Sequence, residues 1–319
     1  MAARASSVVA LALCATAAPA QSPGPLLYVS NEIANTISVI APASGSVVRT
    51  IAVGKRPRGM ALSPDGHTVY VALGQDDAIG VIDVARAAVT GTVPAGRDPE
   101  LVVVSPDGHT LFVSNEEIAH ASAIDVATGQ IRFSTPVGVE PEGIGITRDG
   151  KKVYVTAETS NNVSVLDAAT GRELRTIHVG DNPRTVAFTP DGRHAWVTAE
   201  AGGNVTILDV NTDSVLGQFP IRDQKTKPVR VAFSPDGRLA YVTEGAAGSV
   251  SVVDVAARRV IDTIVVGRRP WGIALTPDGS RLYTADGRSN TVSVIDTKTR
   301  KVVAAIPVGE RPNDLLYIP

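Results

Sequence analysis

The chain has 319 residues, of which 44% are hydrophobic and 19% are charged, so it is long enough to bury a large core. A formal net charge of −2 gives no electrostatic argument for binding nucleic acid, and no run of basic residues favours a membrane surface. Aromatic residues make up only 4%, which predicts a core built mainly from Val, Ile, Leu and Ala.

The first twenty residues have the composition of a secretory signal peptide. An apolar stretch ends in Ala-Pro-Ala, which fits the small-x-small rule for cleavage after Ala20. The single cysteine, Cys14, lies in this stretch, so cleavage leaves a mature chain without a thiol. Lipidation of Cys14 is the alternative, which the bulky Leu13 disfavours. We therefore predict a signal peptide over residues 1–20 and one periplasmic or secreted domain over residues 21–319, with no membrane span.

A Pro-Asp-Gly core recurs along the rest of the chain. It begins at Pro64, Pro106, Pro190, Pro235 and Pro277, and Arg148 replaces the proline once. The intervals are 42, 42, 42, 45 and 42 residues. A period in the low forties, filled with short strand-like runs and turns, is typical of a β-propeller in which each repeat forms one blade.

A single repeat predicts a four-stranded antiparallel blade. Its strands are residues 58–63, 68–73, 78–83 and 88–94, with the Pro-Asp-Gly turn between the first two. The third-strand segment, ending in Ser-Val-Ile-Asp or a variant of it, occurs seven times, which predicts seven blades. The repeat pattern begins with a segment that corresponds to the second strand of a blade and ends with a segment that corresponds to the first strand of a blade. We therefore expect the C-terminal strand to pair with the N-terminal strand and close the ring.

Several motifs resemble those of the YVTN-repeat propellers. They are Tyr28-Val29-Ser30-Asn31, Tyr154-Val155-Thr156-Ala157, Gly54-Lys55-Arg56-Pro57 and Gly309-Glu310-Arg311-Pro312. Within that group the size, the seven repeats and the signal sequence resemble the PQQ-dependent catabolism-associated β-propeller proteins. The resemblance implies a monomer whose partner is a periplasmic quinoprotein dehydrogenase, a cytochrome or a small molecule. The tryptophan-rich repeat of the quinoprotein dehydrogenases is not found, so PQQ itself is not expected to bind.

Two sets of side chains are predicted to meet at the mouth of the central channel, on the face opposite the Pro-Asp-Gly turns. The first set follows the loop prolines and contains Arg58, Glu100, Glu142, Arg184, Val229, Trp271 and Asn313. The second set follows the second strands and contains Glu32, Glu116, Glu158, Glu200, Glu244 and Asp286.

These positions, with a longer loop at residues 219–228, supply the candidate site. The candidates for ligand or partner binding are Arg58, Arg184, Arg230, Trp271, Asn313, Lys225 and Lys227. The candidate ligands for Ca²⁺ or Mg²⁺ are Glu116, Glu158, Glu200 and Glu244, because hard cations take several oxygen ligands. The alternative is structural: the arginines pair with neighbouring glutamates to hold loops, and the Trp271 ring covers a loop.

No nucleophile motif, zinc-spaced His/Cys set or phosphate-binding glycine loop is found in the sequence. We therefore expect a non-enzymatic binding or accessory protein connected with PQQ-dependent alcohol oxidation. The alternative is a metal-dependent lactonase or lyase on the propeller face, which would use Glu116, Glu158, Glu200 and His120.

Overall fold

A computed structural model describes residues 24–319 of the chain. Over this range the structure consists of strands and one short 3-10 helix, Gly74–Asp76. The predicted signal peptide and the cleavage after Ala20 lie outside the described residues. No helix in the described range is long and apolar enough to span a membrane.

The 28 strands of the described chain form seven blades. Blade 1 contains β1 (Leu26–Asn31), β2 (Thr36–Ala41), β3 (Ser46–Ala52) and β28 (Pro312–Ile318); blade 2 contains β4 (Pro57–Leu62), β5 (Thr68–Leu73), β6 (Ala78–Asp83) and β7 (Ala88–Pro94); blade 3 contains β8 (Pro99–Val104), β9 (Thr110–Asn115), β10 (His120–Asp125) and β11 (Ile131–Pro136); and blade 4 contains β12 (Pro141–Ile146), β13 (Lys152–Ala157), β14 (Asn162–Asp167) and β15 (Glu173–His178). Blade 5 contains β16 (Pro183–Phe188), β17 (His194–Ala199), β18 (Asn204–Asp209) and β19 (Ser214–Pro220); blade 6 contains β20 (Pro228–Phe233), β21 (Leu239–Glu244), β22 (Ser249–Asp254) and β23 (Arg259–Val265); and blade 7 contains β24 (Pro270–Leu275), β25 (Arg281–Asp286), β26 (Thr291–Asp296) and β27 (Lys301–Pro307).

The prediction of a seven-bladed propeller of four-stranded antiparallel blades is confirmed. The strands of blade 2 match the predicted strands to within one residue, because proline and glycine limit each turn. The predicted closure is also confirmed, since the sheet order in blade 1 is β28-β1-β2-β3. Tyr28 lies opposite Leu316 and Val29 lies opposite Leu315 in this pairing. The ring therefore has no open seam between its first and last blades.

The core lies mainly between neighbouring blades. The third strand of a blade is buried along most of its length, as in β2, whereas the outermost strand is mostly exposed, as in β3. Trp196 of blade 5, for example, packs edge-on against Phe219 and Phe233, with ring centroids 5.1 and 5.0 Å apart. Because Phe233 belongs to blade 6, such contacts fix the angle between adjacent blades.

The Pro-Asp-Gly turns have a structural role on one face of the ring. In blade 2, Asp65 accepts hydrogen bonds from the Ser63 hydroxyl at 2.5 Å and from the backbone N–H of His67 at 3.0 Å. These two bonds lower the pKa of the Asp65 carboxyl. Gly66 completes the turn with φ +76°, a left-handed conformation that glycine adopts without strain. The opposite face, where the inner strands begin, is called the mouth face below.

Candidate functional site

The residue that follows each loop proline lies at the start of an inner strand and faces the channel. All seven members of the first predicted set line one hollow: Arg58, Glu100, Glu142, Arg184, Val229, Trp271 and Asn313. Arg230 lines it as well. The hollow has a volume of about 20 Å³, enough for about one water molecule. The sequence therefore located the side chains that meet at the mouth, but no organic ligand fits within the hollow itself.

Arg58 and Arg184 each bind several carboxylates from neighbouring blades. The Arg58 guanidinium contacts Glu100 closely and lies 3.4 Å from Glu32. Glu142 lies 3.9 Å from Arg58 and 2.5 Å from Arg184, so its carboxylate joins the two arginines. The alternation of charge at the mouth thus produces a continuous ion-pair network, which is the structural interpretation considered above.

Arg184 pairs with three carboxylates of this network. Its guanidinium lies 2.8 Å from Glu158 and donates from Nε to Glu200 at 2.5 Å, in addition to its contact with Glu142. The Arg184 side chain is 14% exposed and that of Glu200 is 4% exposed. Two of the predicted metal ligands, Glu158 and Glu200, therefore meet at a guanidinium rather than at an open position.

The network shifts the pKa values of its carboxyl groups in opposite directions. Burial and the nearby Glu142 carboxylate raise the pKa of Glu158 to about 7, against the attraction of Arg184. Burial alone would raise the pKa of Glu142, but Arg184 and Arg58 outweigh it and lower that pKa. Burial raises the pKa of Glu100 despite its contact with Arg58. Glu158 is consequently a carboxyl at the mouth that gains or loses its proton near neutral pH.

Trp271 stands next to a gap in the ring of glutamates. Gly287 occupies the position that holds Glu158 in blade 4, and a Cβ atom on Gly287 would lie 2.9 Å from Cδ1 of Trp271. The guanidinium of Arg269 lies 4.1 Å from the indole centroid, within cation–π range. The positions that directly follow the second strands, such as Glu158, form what we call the rim of the mouth. The indole therefore replaces a carboxylate at this part of the rim and is held there by an arginine.

Glu244 does not belong with the other predicted metal ligands. It pairs with Ser249 as the last residue of β21, so it is equivalent to Asn115 of β9 and not to Glu116. Successive side chains of a strand point to opposite faces, so this difference of one residue turns Glu244 into the blade. There it is fully buried and accepts hydrogen bonds from Ser249, at 2.5 Å, and from Ser251.

Asp286 of blade 7 shows the same displacement. It is the last residue of β25 and accepts a hydrogen bond from Ser293 at 2.6 Å, seven residues further on. Asn31 occupies the equivalent position in blade 1 and donates to Ser38 at 2.9 Å. The second predicted set therefore mixes two rings, and only Glu32, Glu116, Glu158 and Glu200 belong to the rim.

One group of carboxylates in residues 24–319 is compact enough to hold a metal ion. It consists of Asp98, Glu100 and Glu116, and shares only Glu116 with the predicted set. The guanidinium of Arg56 lies among them, in close contact with Asp98, 2.8 Å from Glu100 and 3.6 Å from Glu116. A metal ion would have to displace this guanidinium, so the residues as arranged do not fit Ca²⁺ or Mg²⁺. The predicted cation site stays a prediction.

Arg56 and Arg269 are site residues that the sequence reasoning missed. Each precedes a loop proline and has a left-handed backbone, with φ +55° and +56°. The backbone N–H of Arg56 is held by Oδ1 of Asn35 at 2.9 Å, a contact between blades. The signal was present, since the seven residues before the loop prolines are all polar and share this conformation: Arg56, Asp98, Glu140, Asn182, Lys227, Arg269 and Arg311.

The other predicted residues are spread over the mouth face. Arg230 lies 3.4 Å from Asp314 across the channel. Lys225 is exposed on its loop, and Lys227 lies at a separate cavity between blades 6 and 7. His120 contacts the carbonyl oxygen of Ile118 through Nδ1 at 2.5 Å. The longer loop therefore contributes Lys227 to the separate cavity, and no residue of the loop lines the hollow at the channel mouth.

Comparison with family models gives two matches. Residues 1–120 and 107–191 match the YNCE-like beta-propeller model, and residues 167–305 match the model described as lactonase, 7-bladed beta-propeller. A comparison with curated proteins gives no match.

Three solved structures illustrate the similarity of fold. Hydrazine synthase of Kuenenia stuttgartiensis is 25% identical with a TM-score of 0.78, covering 90% of this chain and 99% of that one. The periplasmic gluconolactonase of Pseudomonas aeruginosa is 20% identical with a TM-score of 0.77, covering 92% and 99%. A candidate 6-phosphogluconolactonase of Bacteroides uniformis is 17% identical with a TM-score of 0.79, covering 92% and 99%.

These findings correct the main functional prediction. A non-enzymatic accessory protein connected with PQQ-dependent alcohol oxidation is the wrong expectation, because the lactonase model matches the C-terminal half and similar propellers are named as gluconolactonases. No comparison gives a link to PQQ-dependent catabolism. The physical cause of the error is that one propeller scaffold carries many functions, so repeat motifs that identify the scaffold do not identify its chemistry.

Proposed function

This chain belongs to the YNCE-like β-propeller family, and from that premise we propose that it hydrolyses lactones at the channel mouth. The lactonase family match over residues 167–305 supports the proposal, because that range contains Arg184, Glu200, Arg269 and Trp271. The observation that carries it is the environment of Glu158, a carboxyl with a pKa of about 7 that lies 2.8 Å from the Arg184 guanidinium.

Lactone hydrolysis needs a base that takes a proton from water and a positive group near the carbonyl oxygen. Glu158 is the base in our proposal, because a pKa near the working pH leaves a large ionised fraction that still accepts a proton readily. Arg184 supplies the positive charge that stabilises the oxygen as it becomes negative. The mouth thus contains both groups within one ion-pair network.

The volume of the hollow limits where the lactone and the water can bind. A volume of about 20 Å³ does not accommodate a lactone ring, and Glu158 is not among the residues that line the hollow. The ring and the attacking water would therefore lie on the rim beside Glu158 and Arg184, where Trp271 offers an apolar surface. Water attacks the ester carbonyl carbon and gives a proton to Glu158, after which the ring C–O bond breaks and Glu158 returns the proton to the leaving oxygen. The product is a hydroxy acid.

The test is hydrolysis of δ-gluconolactone followed in a pH-stat, with Glu158→Gln as the variant. We expect kcat/KM to fall by about 10²–10⁴-fold, the contribution of a general base. Glu173→Gln is the control, since Glu173 lies exposed on the outer strand β15. For the wild type, kcat/KM should rise with pH through about 7, because the base must be ionised.

Two results would contradict the proposal. One is a wild-type protein that hydrolyses no lactone above the buffer rate in a panel of γ- and δ-lactones. The other is a Glu158→Gln variant with unchanged activity and an unchanged pH profile. Far-UV circular dichroism of each variant establishes that the fold is retained, so that a loss of activity is not a loss of structure.

A further inference from the structure

A second cavity lies on the mouth face between blades 6 and 7, outside the hollow described above. Its volume is about 400 Å³, and its lining consists of Lys227, Gly245, Ala246, Ala247, Gly248, Arg268, Arg269 and Arg288. Four of these eight residues carry a positive charge and none carries a negative charge. A cavity with this composition differs from the rest of the mouth, where each arginine of the network faces carboxylates.

The positive charge of the cavity is only partly neutralised. Lys227 and Arg269 share one carboxylate, that of Glu200, at 3.9 and 3.0 Å. Within residues 24–319, neither Arg268 nor Arg288 forms an ion pair with a carboxylate within 4 Å. Arg268 donates instead from its guanidinium to the carbonyl oxygen of Arg288 at 2.9 Å. Two exposed guanidinium groups are therefore available to an anion from solution.

The loop of blade 6 explains why the cavity is open. It reads Gly245-Ala246-Ala247-Gly248, whereas the equivalent loop of blade 4 reads Glu158-Thr159-Ser160-Asn161. The carboxylate of the rim is therefore missing at Gly245, and the side chains that would fill the space are methyl groups or hydrogen atoms. A Cβ atom on Gly245 would lie 2.8 Å from Nη1 of Arg269, so the glycine also makes room for the arginine.

We infer that this cavity binds a small oxyanion, the phosphate or carboxylate group of a metabolite. Guanidinium groups bind both anions through paired N–H donors, and several cations placed together repel one another until an anion neutralises them. The site does not use Glu158 or the water-sized hollow, so it does not depend on the proposed lactone hydrolysis. Arg269, which lines the cavity, pairs with Glu200 of the mouth network, so the cavity adjoins that network.

The test is isothermal titration calorimetry of the full protein at low ionic strength, with inorganic phosphate and gluconate as separate probes. The variant is Arg268→Ala with Arg288→Ala, both at exposed positions. The matched control is Arg193→Ala with Arg238→Ala, which removes the same charge from exposed turns on the opposite face. We expect the cavity variant to weaken binding at least about tenfold and the control to change it by less than about twofold.

Each outcome decides the inference. Selective loss for phosphate supports a phosphate-bearing ligand, selective loss for gluconate supports a carboxylate, and loss for both supports a general oxyanion site. No binding of either probe by the wild type overturns the inference, and so does an equal loss in the cavity and control variants, because a diffuse charge effect would then suffice. Glu158→Gln, which tests lactone hydrolysis, should leave binding of both probes unchanged.

Discussion

Replacing Arg184 with alanine tests whether the mouth network is a buried ion-pair network or a set of solvated surface pairs. The change removes the guanidinium that faces Glu142, Glu158 and Glu200 and leaves three carboxylates together. Their side chains are 13%, 17% and 4% exposed, so water cannot fully replace the lost partner. Removing one partner from a buried pair costs about 3–5 kcal/mol, and we expect a loss of this size in the free energy of unfolding at pH 7.

The expected loss depends on pH in a direction that the structure fixes. Arg184 favours the ionised forms of Glu142 and Glu158, since it acts to lower the pKa of both carboxyls. A group whose pKa is lowered by a partner stabilises the fold above its unfolded-state pKa, and this contribution disappears as the group is protonated. Glu142, whose pKa is lowered, keeps its ionic pairing with Arg184 until the solution is acidic, whereas Glu158, with a pKa of about 7, loses it as the pH falls through 7. The difference between wild type and variant should therefore be largest above pH 7, shrink as the pH falls through 7, and shrink again below about pH 4.

The assay is urea unfolding followed by far-UV circular dichroism, because urea leaves charge interactions unscreened. Arg97→Ala is the control: Arg97 pairs with Glu117 at 2.8 Å, but the two side chains are 62% and 52% exposed. An exposed pair contributes about 0–1 kcal/mol, so this variant should change little. A loss below about 1 kcal/mol for Arg184→Ala, or an equal loss at pH 5 and pH 8, would refute the reasoning.

Three further predictions follow from the fold and the sequence. Deleting Pro312–Ile318 should expose the edge of β1, lower the melting temperature and cause self-association, which light scattering would detect; a truncated chain that stays monomeric with an unchanged melting temperature would contradict the role of β28. Tyr154→Phe should lower the free energy of unfolding by about 1–3 kcal/mol in urea, because the Tyr154 hydroxyl contacts Asp213, and an unchanged value would exclude that hydrogen bond as a stabilising contact. The protein recovered from the periplasm or medium should begin at Gln21, and an intact N-terminus by mass spectrometry would disprove cleavage after Ala20.

The architecture was predictable because each blade repeats the same physical solution. A proline that fixes φ, an aspartate that accepts turn N–H groups and a glycine that tolerates positive φ recur at nearly constant spacing. The first set of mouth residues followed from the same regularity, since a fixed offset from the loop proline gives the same position in every blade. Arg58 and Trp271 therefore line the same hollow although 213 residues separate 58 from 271.

What the repeat could not predict depends on single-residue alignment and on contacts between blades. Glu244 and Glu116 look equivalent in sequence, but a shift of one residue in a strand reverses the side chain. Arg56 reaches Glu100 of the next blade, a pairing that depends on side-chain length and on the angle between blades. The raised pKa of Glu158 likewise depends on burial at a junction of blades, which no local pattern encodes.

The last strand in the sequence belongs to the first blade, so the place where the chain begins and ends does not determine the shape of the ring. Leu26 lies opposite Ile318, so the two ends of the described chain are neighbours in space. A circular permutant that begins at residue 309, with residue 319 linked to residue 24, would encode all seven blades as uninterrupted repeats. Its ring would then be held shut only by packing between blades 7 and 1, and thermal opening would begin at that junction.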